Sequence, residues 1–165
     1  MNDAPELFAL RQNLEVCLIH RDTLREALED LEQRALGTSD LEALTKADRR
    51  LLDQFAYRYT RLQDDLGARL MPAVLRALQE DIGPLSMRDR LDRLEQLGWL
   101  ASAEDWNALR RVRNEFAHDY PATAAERLQR LMAAQRAAEA LLVVLARFVE
   151  RIANQFPDLP HPESG

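Results

Sequence analysis

The sequence predicts an all-α protein, an antiparallel bundle of four or five helices, and three observations carry that expectation. Leucines recur every three or four residues through long stretches whose gaps hold charged and polar side chains, the pattern of helices with one buried stripe. Only five glycines occur in 165 residues, too few for a loop-rich or all-β chain. Helix-start and helix-stop residues fall mainly at the ends of the periodic stretches, with Gly67 and Pro72 the exceptions. A chain of this length forms one domain able to bury about 70% of its unfolded surface. That domain is expected over residues 1–153, followed by a flexible Pro-rich tail over 154–165.

Taken in order, the first helix spans Pro5 to Arg34, with Leu7, Leu10, Leu14, Cys17, Leu18, Leu24, Leu28 and Leu31 on its inner stripe, and Gly37-Thr38-Ser39-Asp40 ends it. Cys17, the one cysteine, sits in an apolar run and reads as a small buried residue, while His20 reads as a lone surface or interface histidine. A connector over residues 38–47 holds a short helical turn at Asp40 to Leu44. A second long helix then runs from Asp48 to about Asp81, with a kink or break at Pro72, which lacks a backbone donor and crowds the preceding turn. Tyr57, Arg58, Arg61, Asp64 and Asp65 lie around this helix, as a solvated face or as the completing wall of a pocket.

Gly83-Pro84 is a turn, and Ser86 to Asp89 has capping-box spacing ahead of a short helix with Leu91, Leu94 and Leu97 inward. Gly98 closes that helix in a left-handed conformation, and Trp99-Leu100 pack back onto the bundle. Ser102 opens the next helix, with Glu104 and Asp105 at the positive end of its dipole. A final helix runs from about Thr123 to Ala153, and its apolar run Ala140 to Ala146 suggests burial on more than one side. The segment from Phe156 onward has three prolines and little to bury.

The N-terminus lacks the basic and apolar regions of a signal peptide, and no apolar run is long enough for a membrane span, so a cytoplasmic protein with no membrane association is expected. The net charge of −6 argues against broad, non-specific nucleic-acid binding but leaves room for a local basic site. With no zinc-type Cys/His spacing and no glycine-rich phosphate loop, neither a metal nor a cofactor is expected.

The chemistry concentrates in Arg110–Pro121, where arginines, an amide, a histidine and a tyrosine share a dozen residues. On a helical wheel Trp106, Leu109, Val112 and Phe116 face the core, whereas Arg110, Asn114 and His118, four apart, line one outer face. Pro121 forces the helix to end, which places His118 in or just after its last turn. Histidine can move a proton at neutral pH, and arginine can hold a phosphate by two parallel hydrogen bonds, so the cluster suits phosphodiester chemistry. Arg113 and His118, however, lie about 140° apart on an unbroken helix. They converge only if the helix end unwinds or if a second copy of the protein brings its own set alongside.

Arg113-x4-His118-x-Tyr120, with Asn114 directly after the arginine, resembles the signature of HEPN domains (higher eukaryotes and prokaryotes nucleotide-binding). The run from Leu97-Gly-Trp-Leu through Asp105-Trp to Arg113-Asn-Glu-x-Ala-His-Asp-Tyr-Pro121 is similar in particular to bacterial members paired with minimal nucleotidyltransferases. The resemblance implies an HEPN-like bundle acting as a homodimer in which both copies of the motif line one cleft. It further implies a toxin of a toxin–antitoxin system, a metal-independent endoribonuclease acting on RNA. Arg113, His118, Asn114 and Tyr120 would be its catalytic residues, and Arg110 and Asp119 substrate-binding neighbours. Its antitoxin would be a minimal nucleotidyltransferase that adenylylates Tyr120. Other relatives with the same motif imply the alternative, a non-catalytic nucleotide- or substrate-binding subunit of the nucleotidyltransferase.

Overall fold

The structure is a computed structural model that describes residues 4–118, 121 and 123–159. It is all-helical among these residues: α1 (Ala4–Gln33), α2 (Thr38–Glu42), α3 (Lys46–Asp65), a π-helical turn (Leu66–Leu70), α4 (Met71–Ala77), α5 (Met87–Gln96), α6 (Ala103–His118) and α7 (Ala124–Gln155). Paired contacts set the directions of the long helices. Arg34 meets Asp48 and His20 meets Asp65, so α1 and α3 run antiparallel. Phe55 meets Phe116 and Asp64 meets Arg113, which makes α3 and α6 antiparallel as well. Arg130 reaches the Glu115 carbonyl while Phe148 packs on Trp99 just ahead of α6, so α6 and α7 form an antiparallel hairpin. None of the described helices is long and apolar enough to cross a membrane.

The inner stripe of α1 is as the periodicity predicts, with Leu10, Leu14, Cys17, Leu24, Leu28 and Leu31 buried. Cys17 is fully buried, and burial first, then the Asp65 charge, pushes its thiol up to about 12. The α1–α3 corner is clamped by Arg34, whose guanidinium donates to both Asp48 oxygens at 3.1 Å and to Asp40 at 3.0 Å. The short helix α2 lies at Thr38–Glu42, two residues earlier than the predicted turn, and inserts Leu41 into the bundle.

The second long helix differs from expectation in an informative way. It begins at Lys46, and Thr45 caps it by accepting from the Asp48 N–H at 3.1 Å. The disturbance expected at Pro72 takes the form of a π-helical turn just before it, in which the Met71 N–H donates to the Leu66 carbonyl five residues back. Proline cannot donate to the carbonyl four residues before it, and the chain takes up the missing bond by widening from four-residue to five-residue hydrogen bonding there. The helix also ends earlier than Asp81. Gln79 adopts φ 65°, a left-handed stop, and the Glu80 N–H closes onto the Leu75 carbonyl at 3.0 Å.

Side-chain caps begin the remaining helices. Ser86, Ser102 and Thr123 accept from the Asp89, Asp105 and Glu126 N–H groups at 3.1, 3.0 and 3.2 Å. Gly98 has φ +81° and ends α5, after which Trp99 and Leu100 are buried. Two arginines of α7 grip this corner: Arg147 donates to the Gly98 carbonyl at 2.9 Å and Arg151 to the Leu97 carbonyl at 3.1 Å. Along α7 the apolar run is buried on one side only, since Leu141, Leu142 and Leu145 are inside while Val143 is 71% exposed. Phe156 and Leu159 are buried, so packing continues past α7 where a loose tail is expected; residues 160–165 lie outside the described residues.

Candidate functional site

Helix α6 presents the face that the wheel assigns to the core. Trp106 is buried, and Leu109, Val112 and Phe116 pack partly buried against the core. Phe116 stands edge-on to both Phe55 and Tyr59 of α3, with ring centroids 5.9 and 5.6 Å away. The close approach of α6 to the π turn depends on Gly67, because a Cβ there would lie 2.7 Å from Cζ2 of the Trp106 indole. This contact draws the end of α3 against α6 and sets the site.

A pocket of about 230 Å³ opens in the seam, lined by Gln63, Asp64, Gly67, Ala68, Met87, Trp106, Arg110, Arg113 and Asn114. Three of the predicted residues, Arg110, Arg113 and Asn114, therefore share one concavity. Arg113 is fixed in it: its Nη2 donates to Asp64 Oδ2 at 2.6 Å, and its side chain is only 17% exposed while Asp64 is half exposed. One arm of the guanidinium is engaged by that carboxylate, and the Nε has no hydrogen-bond partner.

His118 does not join this group. Helix α6 stays α-helical through His118, which is exposed at its end and absent from the pocket lining. Unwinding therefore does not bring His118 round to Arg113, and within one chain the two diverge as a regular helix requires. The last turn of α6 is held from α7, where Arg130 Nη1 donates to the Glu115 carbonyl at 3.0 Å, one of the carbonyls the helix end leaves without an internal partner. Asp119 and Tyr120 lie outside the described residues.

Three further groups in this region carry no sequence motif. Gln63 is 3% exposed, and neither its amide nitrogen nor its amide oxygen has a partner. Tyr59, one helical turn earlier, is fully buried with an unpartnered hydroxyl. Burial pushes that hydroxyl up to about 12, against the opposing pull of the Arg113 charge. Asp64 orients Arg113 from the other helix. A signal for Gln63 does exist, since its spacing from Phe55 and Tyr59 puts it beside the apolar stripe of α3, where an amide is out of place.

The structure corrects the reading of His20. It is 8% exposed, its Nε2 lies 2.9 Å from Asp65 Oδ2, and Arg58 Nη1 lies 3.0 Å from its Nδ1. Because the guanidinium can only donate, Nδ1 accepts and Nε2 carries the proton toward Asp65. Asp64 and Asp65 diverge by about 100° around α3, so one serves α6 and the other serves α1. Among the described residues no group of three or more His, Cys, Asp or Glu side chains could hold a metal ion. No family model, curated protein or solved structure matches the chain.

Proposed function

We propose that this protein is an HEPN-type endoribonuclease, the toxin of a toxin–antitoxin pair, with a composite active site formed by two copies of the chain. The observation that carries the reading is the state of α6: it remains regular to its last residue, with Arg113 held by Asp64 in a pocket and His118 exposed beyond it. A single chain then offers a phosphate-binding arginine and a proton-transferring histidine on different faces, and a two-fold partner supplies the complement.

In the proposed reaction RNA lies along the cleft between the copies. His118 accepts the proton of a ribose 2′-hydroxyl, whose oxygen forms a bond to phosphorus as the bond to the 5′-oxygen breaks. The products are a 2′,3′-cyclic phosphate and a 5′-hydroxyl that takes up a proton. Arg113 stabilises the charge that develops on the phosphoryl oxygens, and Arg110 and Asn114 on the same pocket wall hold the substrate, to which the motif residue Asp119 adds a further contact. Tyr120 supports the site and is the residue a minimal nucleotidyltransferase antitoxin modifies. A bulky charged adenylyl group next to the motif would keep RNA out of the cleft.

The test is an RNA cleavage assay in EDTA with wild type, His118→Ala and Arg113→Ala. Each variant alone is expected to be inactive, and mixing the two is expected to restore part of the activity, because a mixed dimer keeps one intact composite site. Wild-type protein that leaves RNA intact sinks the reading. Inactive variants that regain nothing on mixing remove the two-chain site. One observation favours the alternative of a non-catalytic subunit binding a nucleotide for a nucleotidyltransferase: Asp64 at 2.6 Å holds Arg113 in place and offsets part of its charge, which suits holding a bound phosphate more than stabilising a developing charge. That alternative predicts nucleotide binding and a stable complex with the transferase, without cleavage.

A further inference from the structure

The seam between α3 and α6 holds a row of polar groups that the protein leaves unsatisfied: the Tyr59 hydroxyl, both polar atoms of the Gln63 amide and the Arg113 Nε. Burying an amide without partners destabilises a fold, and an apolar side chain would fill the same space without that penalty. The row also lies beside the π-helical turn, whose Gly67 and Ala68 form part of the pocket wall together with Trp106 and Met87. Interruptions of this kind recur at functional sites. A pocket whose wall combines an indole and a thioether with an unpartnered amide and two arginines, one of them paired to Asp64, has a recognisable complement. It is a flat heterocycle carrying an anionic group.

Size narrows the complement further. At about 230 Å³ the pocket falls below the range of roughly 300–1,000 Å³ typical of sites that enclose a whole ligand, so it takes one ring system and not an entire nucleotide. We propose that it is a nucleobase subsite, in which the Gln63 amide reads the edge of a single base while Arg110 and Arg113 face the phosphate attached to it. A carboxamide offers one donor and one acceptor side by side, which matches a base edge that presents the reverse pair and rejects one that does not. This deepens the ribonuclease reading and rests on it for the ligand's identity. Gln63 would make the enzyme prefer one base next to the bond it breaks. His118, outside the pocket, would be indifferent to that base.

The experiment has two arms. In the first, a randomised RNA pool is cleaved by wild type and by Gln63→Met, and product ends are sequenced. Wild type is expected to favour one base, at a fixed position beside the cleaved bond, by roughly ten- to a hundredfold, the discrimination of one bidentate base contact. Gln63→Met is expected to reduce that ratio to within about threefold of even, and a ratio unchanged in the variant overturns the subsite. In the second arm, which needs no catalysis, the four ribonucleoside monophosphates are titrated into wild type and Gln63→Met and followed by amide chemical shifts. Selective binding of one of them, with shifts centred on residues 63–68 and 106–114 and lost in the variant, supports the subsite even if no RNA is cut. Equal or absent binding of all four overturns it. Failure of cleavage alone therefore removes the ribonuclease reading, and equal or absent binding in the second arm removes the pocket's role.

Discussion

Replacing Gly67 by alanine sets two effects of similar size against each other, and the structure says which wins. Alanine is favoured over glycine within a helix by about 1 kcal/mol, so on propensity alone Gly67→Ala stabilises the protein. The added Cβ, however, would lie 2.7 Å from Cζ2 of Trp106, with Cε2 at 3.5 Å and Cη2 at 3.7 Å. Carbon atoms pack best at about 3.5–4.0 Å, so the indole must retreat by about 1 Å. Trp106 is 2% exposed, and forced rearrangements of a buried side chain of this kind cost about 1–3 kcal/mol. The net expectation is a loss of about 1 kcal/mol, which lowers Tm by about 2–4 °C at this chain length. Urea unfolding followed by tryptophan fluorescence measures it. In a Trp106→Phe background the obstructing atoms are gone, and the same Gly67→Ala change is expected to stabilise. The double-mutant cycle should then show a coupling of about 1–2 kcal/mol. A gain in stability from Gly67→Ala in the wild-type background would refute the claim that close packing of the π turn on α6 fixes the site.

Three further outcomes are expected. His118→Ala abolishes cleavage yet changes stability by less than about 0.5 kcal/mol, since the side chain is exposed, and a large loss of stability would show that it has a structural partner. Arg113→Ala removes one phosphate contact, so the slope of log affinity for single-stranded RNA against log salt, read by fluorescence anisotropy, becomes shallower by about 0.7; an unchanged slope would place Arg113 away from the phosphate. Stability also falls in alkali, because Cys17 and Tyr59, with unfolded values of 9.0 and 10.0, both keep their protons in the folded protein up to about 12. The unfolded chain ionises first, so the stabilisation is complete below pH 9 and declines as pH rises. The decline is about 1.4 kcal/mol per pH unit from the thiol alone and about twice that once the phenol contributes above pH 10. Tyr59→Phe should halve the slope above pH 10 and leave the slope below it unchanged, and urea midpoints across this range check both.

Much of the fold is legible in the sequence because it follows from local chemistry. The caps at Ser86, Ser102 and Thr123, the left-handed Gly98 and the leucine stripe of α1 each depend on residues within a turn or two of one another. The inward set of α6 and the outward position of His118 follow from helical geometry alone. What was not legible depends on which helix lies opposite. Nothing in the neighbourhood of His20 announces Asp65, forty-five residues away, and nothing near Arg113 announces Asp64. The π turn could be anticipated as a disturbance at Pro72 but not as a widening upstream of it, since the same missing donor can be absorbed by a kink or by an extra residue. Gln63 is legible only as an amide at the spacing of Phe55 and Tyr59, and its lack of partners shows only once its burial is known.

The grip of α7 on the rest of the bundle has a consequence in time. Arg147 and Arg151 hold the carbonyls that end α5, and Arg130 holds one that ends α6, so the corners that aim the pocket are fastened by residues made after the pocket itself. A nascent chain that has released everything through His118 already has every pocket-lining residue of the site but not the strut that fixes them in place. The arrangement delays the finished pocket until α7 has emerged and docked.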